Sequence, residues 1–160
     1  MHDIHTHIGQ FYQTKYDFHN IFMALKNNGI TETTFAYLTP LFTDSAPAIE
    51  FYNAMTQETK AALDFAKKID LKVNPLYWID PMVLFGGITL ESILNDLDYK
   101  GLVVHPFLND WNPSDEKRAN LLTQIFEFAE KKNYEIYFHT GCSERDNPLI
   151  FEKWFVEYPQ

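Results

Sequence analysis

A strand signal followed by a helix signal recurs five times along this 160-residue chain, and no other feature narrows its fold as much. The short apolar or β-rich runs are Ile4 to Ile8, Thr33 to Leu38, Val73 to Ile79, Leu102 to Pro106 and Glu135 to Thr140. Their starts lie roughly 30 residues apart, the length of a βαβ unit. The segments between them carry helical periodicity. Asp17 is placed to cap a first helix with Phe18, Ile21, Phe22 and Leu25 on one face and Gly29 as its stop. A second helical stretch runs to about Lys68, and Thr89 opens a third whose Leu90, Ile93, Leu94 and Leu97 follow i, i+3, i+4, i+7 spacing. Ser114, followed by Asp115 and Glu116, opens a fourth, and Asn147-Pro148 starts a fifth that ends at Pro159.

Such alternation means a mostly parallel sheet with helices packed on it. Two α/β architectures compete. A five-stranded doubly wound sheet is complete at about this length. A TIM-type (β/α)8 barrel needs ~250 residues, so this chain would supply only about five of its βα units, a single partial domain over residues 1–160. Length favours the open sheet.

Composition narrows the function classes. Apolar residues make up 46% of the chain and aromatic residues 16%, ample for a packed core and inconsistent with disorder. Thirteen basic residues against 22 acidic ones give a net charge of −9. That balance argues against sequence-independent nucleic-acid binding and against an anionic membrane surface, since both draw excess Lys and Arg. A single cysteine makes no internal disulfide, which fits a reducing compartment. The N-terminus lacks the pattern of a signal peptide, and no run approaches the ~18 apolar residues that span a bilayer. A soluble, cytoplasmic protein is expected.

The histidines favour the barrel instead. His5 and His7 stand at i and i+2, so on a strand they project to one face and can share an ion. Asp3 falls on that same alternation, where it can orient a ligating histidine. His139 closes the fifth strand at its carboxyl end, where parallel α/β folds hold their sites. In a doubly wound sheet of order 2-1-3-4-5, the first and fifth strands stand roughly 14 Å apart, too far for one ion. Across a closed barrel they face each other. A metal shared by His5, His7 and His139 therefore requires the barrel.

Asp3-Ile4-His5-Thr6-His7 resembles the first-strand metal-binding signature of the amidohydrolase superfamily. Lys100-Gly101-Leu102-Val103-Val104-His105-Pro106 is similar to the fourth-strand segment of its amidohydrolase-related branch. Phe138-His139-Thr140-Gly141, followed by Asn147-Pro148 and Glu157-Tyr158-Pro159, resembles that branch's fifth strand and following helix. The resemblance implies a (β/α)8 barrel, a divalent metal (usually Zn2+), and hydrolysis of a small carbonyl-containing substrate by metal-activated water. In some members the reaction is non-oxidative decarboxylation instead. It also implies His5, His7 and His139 as metal ligands. Val103 stands where many relatives carry a lysine that bridges two metals, which argues for a single ion. The family's usual proton shuttle, a sixth-strand histidine and an eighth-strand aspartate, would lie beyond Gln160, so the sequence names no catalytic acid or base.

His105 shares a strand face with Val103 and Gly101 and is expected at substrate. Cys142, Trp78 and Asp80 are weaker candidates for the pocket, while His2 and His19 read as surface. The partners expected are a small molecule and, because five units leave sheet edges exposed, a second copy of the chain. The alternative from another class is a non-catalytic doubly wound binding domain.

Overall fold

The computed structural model describes residues 2–11, 13–141 and 143–159, with backbone alone for residues 2–4 and 11. Strand β1 (His2–Phe11) turns into a short partner, β2 (Thr14–Tyr16), and β3 (Glu32–Leu38), β4 (Lys72–Trp78), β5 (Gly101–Val104) and β6 (Glu135–Phe138) follow. Helices α1 (Phe18–Asn27) and α2 (Ser45–Lys68) connect the first parallel strands. A single turn, α3 (Pro81–Phe85), and α4 (Leu90–Asp96) lead to β5, which runs into another turn, α5 (Pro106–Asn109). Then α6 (Glu116–Lys132) precedes β6, and a 3-10 turn (Pro148–Phe151) with α7 (Glu152–Glu157) ends the described chain. No helix among the described residues is long and apolar enough to cross a membrane.

The sheet is mixed, six-stranded and open, in the order β2-β1-β3-β4-β5-β6. Only the β1–β2 hairpin is antiparallel. The parallel strands thus lie in sequence order, unlike the 2-1-3-4-5 order of the doubly wound alternative. Right-handed crossovers that always advance in one direction place the helices that connect the strands on the same face. Packing agrees with this. Ile8 and Phe35 meet Phe18, Phe22, Ala62 and Ala66 of α1 and α2. Tyr77, Leu102 and Val104 pack with Ile93, Leu122 and Ile125 of α4 and α6.

The other face has no helical layer, yet Ala36, Leu38, Leu76, Trp78 and Val103 are buried there, joined at the edge by Leu108 of α5. Curvature explains their burial. A flat sheet would separate β1 from β6 by four strand spacings, roughly 19 Å. Instead the rings of His5 on β1 and Tyr137 on β6 stack 5.9 Å apart with an interplanar angle of 12°. The helix-free face is therefore concave, and its two outermost parallel strands lean over a shared hollow. Small residues allow the approach: a Cβ on Gly101 would lie 2.8 Å from the Glu135 carbonyl, so β5 and β6 draw together where no side chain intervenes.

Local chemistry departs from the sequence expectations at several points. Asp115, one residue after Ser114, caps α6 by accepting from Arg118 N at 2.9 Å. Asp17 precedes α1 without a side-chain cap bond and pairs instead with His19. Strand β5 stops at Val104 and β6 at Phe138, so His105 and His139 each stand one residue past a strand. His139 N still donates to Val104 O at 2.9 Å, which prolongs the ladder by one bond. Register between β1 and β3 shifts by one between Asp3 and Thr6. The alternation that places Asp3 beside His5 and His7 is therefore interrupted, and the Asp3 side chain lies outside the described residues.

Candidate functional site

Four of the six histidines gather beside Trp78, His5 and His7 from within β1 and His105 and His139 from just past β5 and β6. His7 and Ala36 are register partners on β1 and β3, so the His7 imidazole lies on the concave face. Its ring meets His5 edge-on at a centroid distance of 4.4 Å and leans on Trp78 at 5.6 Å. Trp78, His105 and His139 form a continuous stack. Trp78 and His105 lie 5.2 Å apart at 8°, and His105 and His139 lie 4.0 Å apart at 12°. His7, Trp78, His105 and His139 line a hollow of about 250 Å³, with Leu38 and Leu108 as apolar wall and Tyr16 of β2 at its rim.

Burial sets the charge of this cluster. The His7 pKa falls to about 4, first because burial disfavours the imidazolium, then because His5 and His139 repel a second positive charge. The His105 pKa also falls to about 4 through burial and repulsion by His139, against smaller opposing contributions from a hydrogen bond with its own backbone and from Asp146. Both rings are neutral at neutral pH. His7 Nδ1 is buried without a hydrogen-bond partner among the described residues. His105 Nδ1 is occupied, since it accepts from Leu108 N at 3.3 Å.

Beneath the stack lies a buried polar network. Trp78 Nε1 donates to Asn109 Oδ1 at 2.6 Å, and Asn109 Nδ2 donates to Asp80 Oδ2 at 2.9 Å and to the Pro40 carbonyl at 3.3 Å. Asp80 Oδ1 accepts from Met82 N at 2.7 Å, capping α3. Asp80 is 1% exposed, and burial raises its pKa to about 6. Its oxygens serve this network, and it does not line the hollow. Trp78 does line it, held by Asn109 in the orientation that supports His105.

The structure thus brings His5, His7, His105 and His139 to one region, although β1 and β6 lie far apart in the sheet order. Their rings pack against one another instead of pointing at a common centre. Among the described residues, no group of three or more His, Cys, Asp or Glu side chains stands at metal-holding geometry. The donors nonetheless suit a divalent transition metal in kind: neutral imidazoles, one with an orphaned buried nitrogen, beside the exposed ring of His139. Cys142 and the side chains of Asp3 and His2 lie outside the described residues. His19 is exposed, stacked on Phe18 far from the cluster.

Asn109, Tyr137 and Tyr16 carry no motif that marks them in the sequence. Asn109 offers one signal, an amide shortly after His105 in the loop beyond a strand end, but its partners are remote in sequence. A second hollow of about 580 Å³ adjoins the first through Leu108 and is lined by Pro40, Leu41, Phe51, Phe107 and Arg145. The chain matches no family model, no curated protein and no solved structure.

Proposed function

We propose that this chain is a metal-dependent hydrolase of the amidohydrolase type, in which the curled sheet forms five units of a (β/α)8 barrel wall. Sequential parallel order, helices on one face and a concave opposite face support the barrel reading. The observation that carries the function is that His7 of β1 and His139, just past β6, line one hollow although they come from opposite ends of the chain, with His5 edge-on to His7.

His5, His7 and His139 would hold the ion, and an all-imidazole donor set suits Zn2+. When bound, such an ion polarises a carbonyl and acidifies water. The chain's own residues supply the remainder. Burial keeps His7 unprotonated, so no proton competes for its nitrogen at neutral pH. Leu38, Leu108 and Trp78 give the hollow apolar walls, and its volume of about 250 Å³ suits a small substrate.

Titration of chelator-treated protein with Zn2+ and Co2+, followed by elemental analysis after dialysis, tests the reading. One equivalent should remain bound. His5→Ala and His139→Ala should each abolish it, Asp3→Ala should weaken it by about 10–100-fold, and His105→Asn should leave it intact. Full occupancy in His139→Ala excludes the shared site.

A further inference from the structure

One ring nitrogen of His105 is already committed. Its Nδ1 accepts from the backbone N–H of Leu108 at 3.3 Å, in the turn that follows β5. A nitrogen that accepts a hydrogen bond carries no proton, so in the neutral ring the proton resides on Nε2. Stacking fixes the ring plane as well: Trp78 covers one face and His139 the other. The ring can neither flip nor tilt without breaking the Leu108 bond and both stacks. Nε2 is the remaining polar atom, on the side of the ring away from the turn, and the ring lines the hollow of about 250 Å³.

We infer that His105 is a hydrogen-bond donor to substrate through Nε2–H, recognising a carbonyl or carboxylate oxygen, and stands apart from any metal-ligand set. Ligation through Nε2 would need the opposite tautomer, with a proton on Nδ1 facing the Leu108 N–H. Two donors would then oppose each other in a part-buried turn. A neutral donor held rigidly by its neighbours is also what stabilises charge developing on a substrate oxygen, because it requires no reorganisation.

The inference deepens the hydrolase reading and rests on it for its catalytic meaning, but its test is separate. In metal-free protein labelled with 15N at histidine, NMR should show the His105 proton on Nε2 and none on Nδ1. Sodium acetate, as a carboxylate probe, should shift that Nε2–H resonance. His105→Asn, which keeps an acceptor for Leu108 N, should weaken acetate binding about tenfold. Adding Zn2+ should leave the Nε2 proton in place. A proton on Nδ1, loss of the Nε2 proton on adding Zn2+, no response to acetate, or unchanged acetate affinity in His105→Asn each overturns the assignment. Failure of Zn2+ to bind at all would instead remove the hydrolase reading, while the tautomer and acetate results would still decide the role of His105.

Discussion

At Asn109 one carboxamide serves three partners, and all of them bear on the histidine stack. Its orientation is fixed: the oxygen must face Trp78 Nε1, and the nitrogen must face Asp80 and the Pro40 carbonyl. Asn109→Ala should leave an indole N–H and a carboxylate oxygen unpaired inside the fold. At about 1–3 kcal/mol for each orphaned group, the variant should lose about 2–6 kcal/mol. Asn109→Asp should fare worse, because a second carboxylate would face Asp80 where burial already raises its pKa. Urea unfolding followed by tryptophan fluorescence measures both. A loss below about 1 kcal/mol in Asn109→Ala would mean that water replaces the amide and that Trp78 is held by packing alone.

Among the elements, the α6 start offers a clean comparison of neighbouring residues. Asp115 accepts from Arg118 N, whereas the exposed Ser114 has its backbone N–H tied to Asn112 Oδ1. Asp115→Ala should therefore cost about 1 kcal/mol, and Ser114→Ala should stay within about 0.5 kcal/mol. Equal effects in thermal unfolding would return the cap to Ser114. The same helix start separates what is legible in the sequence from what is not. Periodicity locates the helix, and the run Ser114-Asp115-Glu116 marks its start, but local chemistry offers two caps and only the backbone path selects one. The five parallel strands are legible for the same reason, as is the inward direction of His5 and His7, which the pleat dictates. The β1–β2 hairpin is not, because Thr14-Lys15-Tyr16 is too short to show a periodic signal of its own. Strand ends are overrun too. His105 and His139 continue an apolar run in sequence, yet each leaves the ladder where the next turn begins. Trp78, Asn109 and Asp80 share no motif, so only tertiary packing announces their network.

For the whole molecule, curvature gathers titratable groups on the concave face, and this gives the fold a pH dependence of calculable sign. His7 and His105 have folded pKa values of about 4 against 6.5 for the unfolded chain. Between these values the unfolded chain binds protons that the folded one does not, so stability falls as pH falls from 6.5 toward 4. Asp80 acts in the opposite sense. Its pKa of about 6, against 3.8 unfolded, means the folded state holds a proton that the unfolded state releases, which adds stability as pH falls below 6. Two groups oppose one of comparable shift, so the histidines should prevail. Asp17 and Asp146, whose pKa values are lowered by hydrogen bonds, weaken the fold mainly below 3.8 and leave this window clear. The melting temperature of metal-free protein should therefore decline between pH 6.5 and 4.5. In His7→Gln, with one histidine left against Asp80, that decline should nearly vanish. Calorimetry at constant ionic strength reads both slopes. A melting temperature that stays level in the unsubstituted protein would mean that His7 and His105 take up protons freely, and hence that the concave face is wetter than its packing indicates.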